Sequence, residues 1–122
     1  MKSGEVIQAR TNAELLNELL GKNYGGWMKS VYDLNDQRIW MIHIDKKPRK
    51  DWRNYKIGDF IVEENMDPYN KFGLRTDVRP DVERIVFSKH NGYFIFEGIY
   101  KYDKERSKYS GTRYWIRTND VY

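Results

Sequence analysis

The chain has 122 residues and a formal net charge of +4, from 22 Lys and Arg against 18 Asp and Glu. That length suits one domain with one hydrophobic core, and we expect residues 1–122 to form it. The absence of cysteine excludes disulfides, thiolate metal sites and a cysteine nucleophile. No apolar run approaches the ~20 residues that span a bilayer, so we expect a cytoplasmic protein without a membrane contact.

Aromatic residues are abundant, with ten Tyr, five Phe and four Trp. Aromatic rings and cations together allow a surface to stack on bases and to neutralise phosphates. The same composition is typical of a small β-rich core with a solvated rim. Composition alone therefore leaves both interpretations open.

A capping box predicts one short helix near the start of the chain. Thr11 can accept a hydrogen bond from the amide of Glu14, whose carboxylate reaches back. An apolar stripe of alanine and leucine follows, and Gly21 is placed to end the helix. We expect an amphipathic helix over about residues 12–20, which needs a larger surface to pack against.

The rest of the chain reads as strands. They are predicted at Gly26–Tyr32, Arg38–Asp45, Lys56–Glu64, Glu83–Ser88, Tyr93–Tyr102 and Arg113–Thr118. The Asn91-Gly92 pair between two apolar runs predicts a tight hairpin. We therefore expect an α+β, mostly β domain: a small curved sheet or partly closed barrel of about six strands with one N-terminal helix.

Two connecting segments differ in charge. The run Lys46–Lys56 contains six cations and one acid, whereas Ile57–Glu83 contains seven acids and three cations. The first favours a basic loop that faces phosphates, although two solvated loops of opposite charge explain the pattern equally well. The segment over residues 65–81 is long for a simple connection and is a candidate binding element.

The segment Arg113-Tyr114-Trp115-Ile116-Arg117 is the most suggestive of a binding surface. Strand alternation places Arg113, Trp115 and Arg117 on one face. On an open face, the indole would provide a stacking platform and the guanidinium groups would bind phosphates. The alternative is a buried Trp115 whose neighbouring arginines reach the rim. The predicted nucleic-acid-binding residues are Lys47, Arg49, Lys50, Trp52, Arg53, Arg113, Trp115 and Arg117.

Two stretches resemble strands of a known fold group. Tyr55-Lys56-Ile57-Gly58-Asp59-Phe60-Ile61-Val62 resembles the start of a strand in PUA-like domains, whose EVE, ASCH and YTH relatives bind RNA or modified bases. Tyr93–Tyr102 is similar to a later strand of the same group, so the resemblance covers about residues 55–102. Phe96–Asp103 followed by Arg113–Arg117 is also similar to accessory modules of bacterial restriction-type nucleases. Either resemblance implies recognition of nucleic acid or a nucleotide without chemistry.

Catalytic chemistry has little support in the sequence. Asp59 and Glu63 are four residues apart on a strand, about 13 Å, so one metal ion cannot readily bridge them. No set of nucleophile, base and orienting group is present, and we expect no cofactor, no metal and no catalytic residue. Three functions stay open: a nucleic-acid or nucleotide recognition module, a phage- or mobile-element-type inhibitor that binds a bacterial defence protein, and a metal-dependent nuclease.

Overall fold

The fold is built on one extensively paired sheet. A computed structural model describes residues 1–44, 52–65, 79–108 and 112–122. The helix α1 spans Asn12–Leu20, and a 3-10 turn spans Arg106–Lys108. The strands are β1 (Val6–Gln8), β2 (Val31–Asp33), β3 (Gln37–Ile42), β4 (Trp52–Ile57), β5 (Phe60–Asn65), β6 (Glu83–Lys89), β7 (Tyr93–Tyr102) and β8 (Thr112–Asn119).

The helix α1 begins and ends as the sequence predicts. The Thr11 hydroxyl accepts a hydrogen bond from the Glu14 amide at 3.2 Å, and Gly21 adopts a left-handed conformation with φ of 64°. The Glu14 carboxylate also accepts from the Arg10 amide at 2.9 Å, and this bond lowers the pKa of Glu14. Leu15 and Leu16 are fully buried. The cap therefore fixes the boundaries, and the buried leucines dock the helix on the sheet.

The sheet has the strand order β2-β3-β6-β7-β8-β5-β4. β3 and β6 run parallel, and the other described pairs are antiparallel. β1 pairs with the first half of β7 and β8 with the second half, so Val6 lies opposite Ile95 and Trp115 opposite Tyr102. The ten-residue strand β7 thus pairs with β6 along one edge and with β1 and β8 in turn along the other.

A bulge in β7 changes the register at Gly98. Val86 of β6 lies opposite Gly98, while Phe87 lies opposite Phe96, which leaves Glu97 as an extra residue. The φ of Gly98 is +130°, and an added Cβ would lie 2.7 Å from the Arg117 Cδ atom. Only glycine fits there without strain, and a bulge increases the local twist of a sheet.

The two faces of the sheet carry different cores. On the face that we call the outer face, α1 covers apolar side chains of β3, β6 and β7. These are Ile39, Met41, Ile85, Phe87, Phe94, Phe96 and Ile99, packed with Leu15 and Leu16. The opposite face, which we call the inner face, has its own buried cluster: Trp40, Ile42, Ile61, Val86, Tyr100 and Trp115.

The inner face is concave. Trp40 of β3 and Trp115 of β8 are separated by two intervening strands, which would place them about 14 Å apart on a flat sheet. Their ring centroids are only 5.4 Å apart. The sheet therefore curls until residues of non-adjacent strands meet across its inner face.

The predicted fold class is confirmed: the protein is mostly β, with one short helix and an open curved sheet. Some strand boundaries were wrong. Lys56 and Ile57 end β4 and are separated from β5 by the Gly58-Asp59 turn, and only the end of Gly26–Tyr32 forms a strand. β1 was missed because three residues with one half-buried side chain give no alternation signal.

The long segment 65–81 is described only at its ends, where Asn65 closes β5 and residues 79–81 precede β6. The rest of it, residues 66–78, lies outside the described residues, so its predicted binding role stays a prediction. Among the described residues, no helix is long and apolar enough to cross a membrane.

Replacing Gly98 with alanine should destabilise the domain by about 2–4 kcal/mol, because a Cβ there is strained and overlaps the Arg117 side chain. Chemical denaturation of Gly98→Ala would measure this loss. The control is Gly25→Ala, since an added Cβ at Gly25 meets nothing within 4 Å. Equal stability of the two variants would contradict the assigned bulge.

Candidate nucleic-acid interface

A buried arginine holds the two inner-face tryptophans together. The Arg84 guanidinium carbon lies 4.0 Å from the Trp115 ring centroid and 4.5 Å from that of Trp40. Arg84 is 4% exposed and Trp115 is fully buried. A desolvated cation–π contact contributes about 2 kcal/mol, so this stack is a principal tie across the inner face.

Glu63 is the acid of this buried region. Its Oε1 atom accepts a hydrogen bond from the Trp115 indole at 2.8 Å. The same oxygen lies 3.8 Å from an Arg113 guanidinium nitrogen, and both side chains are almost entirely buried. One carboxylate thus orients the indole and balances a buried cation.

The prediction that Arg113 and Trp115 lie on an open face is therefore wrong, because both side chains are buried. Strand alternation does place Arg113, Trp115 and Arg117 on one face, as predicted. That face is the interior of the curled sheet, so the indole is core and Arg113 is enclosed with Glu63. The alternative prediction was a buried Trp115 with neighbouring arginines at the rim. It is correct for Trp115 and Arg117, whereas Arg113 is buried.

Arg117 lies at the rim of the inner face. Its guanidinium donates to the Asp59 carboxylate in the turn between β4 and β5. This hydrogen bond raises the pKa of Arg117. The Arg117 side chain is 26% exposed and that of Asp59 is 65% exposed. An exposed pair of this kind can exchange partners at little cost, because water screens it.

A polar cluster adjoins this rim. The Lys56 ammonium lies 2.9 Å from one oxygen of Glu97, and the buried Ser88 hydroxyl donates to the other oxygen at 2.7 Å. Ser88 also lies 2.9 Å from the His90 Nε2 atom. β4 and β7 are separated by β5 and β8, so the Lys56–Glu97 pair is a second tie across the concave face.

Tyr100 is buried beside this cluster with an unsatisfied hydroxyl. Its side chain is 0% exposed, and the hydroxyl has no hydrogen-bond partner among the described residues. Burial raises the pKa of Tyr100 to about 12, against an opposing effect of Arg117 and smaller raising effects of Glu97 and Asp59. The hydroxyl is therefore a protonated donor at neutral pH, and a buried donor without a partner requires an explanation.

The remaining predicted binding residues do not join this site. Lys47, Arg49 and Lys50 lie outside the described residues, as does the Trp52 side chain. From Trp52 onward, the predicted basic loop is strand β4. Arg53 belongs to the outer face, where its guanidinium lies 4.8 Å from the Tyr55 ring centroid.

The sequence prediction missed Arg84, Glu97 and Tyr100. Alternation in β6 places Arg84 on the face of the sheet opposite to that of Ile85. An arginine is nevertheless expected to face solvent because its side chain is charged. The bulge at Gly98 reverses the alternation of β7, so no periodic pattern could place both Glu97 and Tyr100 on the inner face.

The acidic side chains of the candidate site are paired with neighbouring polar groups. In the part of the chain that the structure describes, no group of three or more His, Asp or Glu side chains is placed to hold a metal ion. Ser88 contacts both His90 and Glu97 and is 1% exposed in the free domain. The candidate site is thus a polar cluster behind a rim of ion pairs.

A family comparison identifies the fold. The model of the SET and RING associated (SRA) domain matches residues 2–122. The chain belongs to the SRA family. No curated protein matches the chain. The SRA family has a PUA-like fold, which confirms the predicted fold group, whereas nothing supports the narrower likeness to EVE, ASCH or YTH domains. SRA domains bind DNA and methylcytosine, so nucleic-acid recognition is confirmed as the functional class.

Neutralising Glu63 should destabilise the domain by about 3 kcal/mol, because Glu63→Gln removes the charge next to a buried Arg113. Asp59→Asn is the control, since it neutralises an exposed ion pair and should cost less than about 1 kcal/mol. Urea denaturation of both variants checks this. Equal losses would contradict the assignment of Glu63 to the buried interior.

Tyr100→Phe should leave the melting temperature unchanged or raise it, because it removes a buried hydroxyl that has no partner. Tyr32→Phe should lower it, since the Tyr32 hydroxyl bonds that of Tyr24 at 2.8 Å. The folded-state pKa of Tyr100 is raised from 10.0 to about 12. The unfolded chain therefore loses this proton above pH 10 while the folded domain keeps it, so the stability of the parent falls as the pH rises from 10 through 12.

The advantage of Tyr100→Phe over the parent should consequently grow between pH 10 and 12. Thermal scans across that range measure it. A lower melting temperature for Tyr100→Phe than for Tyr32→Phe at neutral pH would show that the hydroxyl has a structural partner.

Proposed function

We propose that this SRA domain is a non-catalytic module that recognises DNA containing a modified cytosine and binds it at the rim of its inner face. The observation that carries the proposal is the family match over residues 2–122. SRA domains bind DNA and methylcytosine, and the match extends over nearly the whole chain.

The rim offers the charges that such binding needs. Lys56 and Arg117 are both partly exposed, and each is paired with a carboxylate that a phosphate can replace. Replacing one anion by another costs little electrostatic energy at the exposed Asp59. The Glu97 side chain is 12% exposed, so it keeps its Ser88 bond and needs a donor from the ligand in place of Lys56. We assign these two cations to the DNA backbone.

The polar cluster offers base recognition. Once Lys56 turns to a phosphate, Glu97 retains a free oxygen that can accept from the amino group of a cytosine. The unsatisfied Tyr100 hydroxyl is buried in the free domain. It can donate to a base acceptor once a ligand separates the Lys56–Glu97 and Arg117–Asp59 pairs at the rim. A group that costs stability in the free domain and bonds a ligand is typical of functional sites. We assign Glu97 and Tyr100 to the base.

Binding of short duplexes, with and without one 5-methylcytosine, tests the proposal by fluorescence anisotropy at several salt concentrations. Lys56→Gln and Arg117→Gln should each weaken binding to both duplexes and lower the salt slope by about one. Tyr100→Phe should reduce affinity for the methylated duplex about tenfold without loss of stability. The control is Lys22→Gln, an exposed cation next to the end of α1.

Failure to bind either duplex at low salt would overturn DNA recognition. Equal binding of the two duplexes would retain DNA recognition and remove the modified-cytosine part. Loss of binding in Lys22→Gln alone would move the interface to the helix side of the domain.

A further inference from the structure

The outer face has a second half that α1 does not cover. The helix packs over β3, β6 and β7, whereas β8, β5 and β4 carry half-exposed aromatic side chains on the same side. We call this half the outer platform, and it comprises Tyr55, Phe60 and Tyr114 with Arg53 and Arg106. The 3-10 turn at 106–108 contacts β8, and its Arg106 lies over Phe60.

Strand register brings the three rings together. Val62 of β5 lies opposite both Tyr55 of β4 and Tyr114 of β8, so these three side chains form one row across the sheet. Phe60 belongs to the next row, between Ile57 and Ile116. The Phe60 and Tyr114 rings meet edge to face with centroids 6.3 Å apart. Phe60 and Tyr114 are thus in contact, and Tyr55 lies two strands away from Tyr114 in the same row, with the buried Val62 between them.

A guanidinium group lies over two of these rings. Arg53 is 4.8 Å from the Tyr55 centroid, and Arg106 is 4.7 Å from the Phe60 centroid. The Arg53 Nε donor has no hydrogen-bond partner among the described residues. The Arg106 side chain is 60% exposed, and its partner is Asp103 three residues earlier. Both cations are thus held at the surface by aromatic contacts.

The acid nearest the rings is already engaged. The Tyr55 hydroxyl bonds the Glu64 carboxylate, and burial together with that bond raises the pKa of Tyr55 to about 12. Lys101 extends the row of Phe60 and Ile116 and is exposed. The platform therefore has rings in its centre and Arg53 at the β4 end. At the other end, Lys101 and Arg106 lie among three acids, Asp81, Asp103 and Glu105.

This arrangement selects unpaired bases. In a duplex the base faces are stacked on one another and only phosphates are offered, so aromatic rings gain nothing from it. A single strand offers both a base face for each ring and a phosphate for each guanidinium. We propose that the outer platform binds single-stranded nucleic acid: phosphates draw Arg53 and Arg106 away from the Tyr55 and Phe60 rings, and bases stack on these rings and on Tyr114.

The proposed strand site lies on the face opposite the inner-face rim, so it goes beyond the proposed duplex recognition. The two sites share no residue. A variant of one should therefore leave the other unchanged, and their failures can be told apart.

The test is anisotropy with a labelled oligothymidine of about 12 nucleotides, a length that matches single-strand sites on small β-domains. The double variant Arg53→Gln/Arg106→Gln should weaken binding about tenfold and lower the salt slope. Tyr114→Leu should weaken binding at unchanged salt slope, because it removes a ring and no charge. Affinity for the methylated duplex should not change in either variant.

The control is Arg10→Gln, which removes an exposed, ion-paired cation on the helix side of the domain. Photo-crosslinking with a bromodeoxyuridine oligonucleotide supplies a second readout, with crosslinks expected at Tyr55, Phe60 or Tyr114. Unchanged oligothymidine binding in the double variant would overturn the proposal. So would crosslinks confined to the inner-face rim, or a platform occupied by a second copy of the chain in sedimentation analysis.

Discussion

The architecture depends on the contact between one buried guanidinium and two indoles. Arg84 comes from β6, Trp40 from β3 and Trp115 from β8, so their stack joins strands that a flat sheet would keep apart. A buried cation is costly unless its surroundings are polarisable or anionic, and here the ring faces serve that purpose. The stack thus fixes the curvature of the sheet, which gives the inner face a buried centre and a solvent-exposed rim.

Curvature determines where binding groups can lie. Residues in the middle of the inner face become core, as Trp115 does, and only those near its edge, such as Lys56 and Arg117, keep contact with water. A ligand of the inner face therefore meets ion pairs first and the Tyr100 hydroxyl behind them. The partly exposed rings of Tyr55, Phe60 and Tyr114 lie on the other side, where α1 does not cover the sheet.

Local signals in the sequence were sufficient for local structure. The Thr11 cap, the Gly21 stop and the Asn91-Gly92 turn each act within a few residues, and all three stand where they were predicted. The inner face depends on pairings between distant strands. The sequence could assign Trp115 to a face but could not show that this face closes on itself. The bulge at Gly98 then moved Glu97 and Tyr100 to one side against simple alternation.

The parallel pairing of β3 with β6 affects how the chain reaches this structure. The two strands of a hairpin are close in the sequence. β3 and β6 are instead separated by some forty residues, which include β4 and β5. Closing such a loop reduces chain entropy before any contact compensates for it. We therefore expect the β6–β7 hairpin and α1 to form early in folding, and the β3–β6 contact to set the folding rate. The stack of Arg84 on Trp40, which needs β3 beside β6, would consequently be among the last contacts that a newly made chain forms.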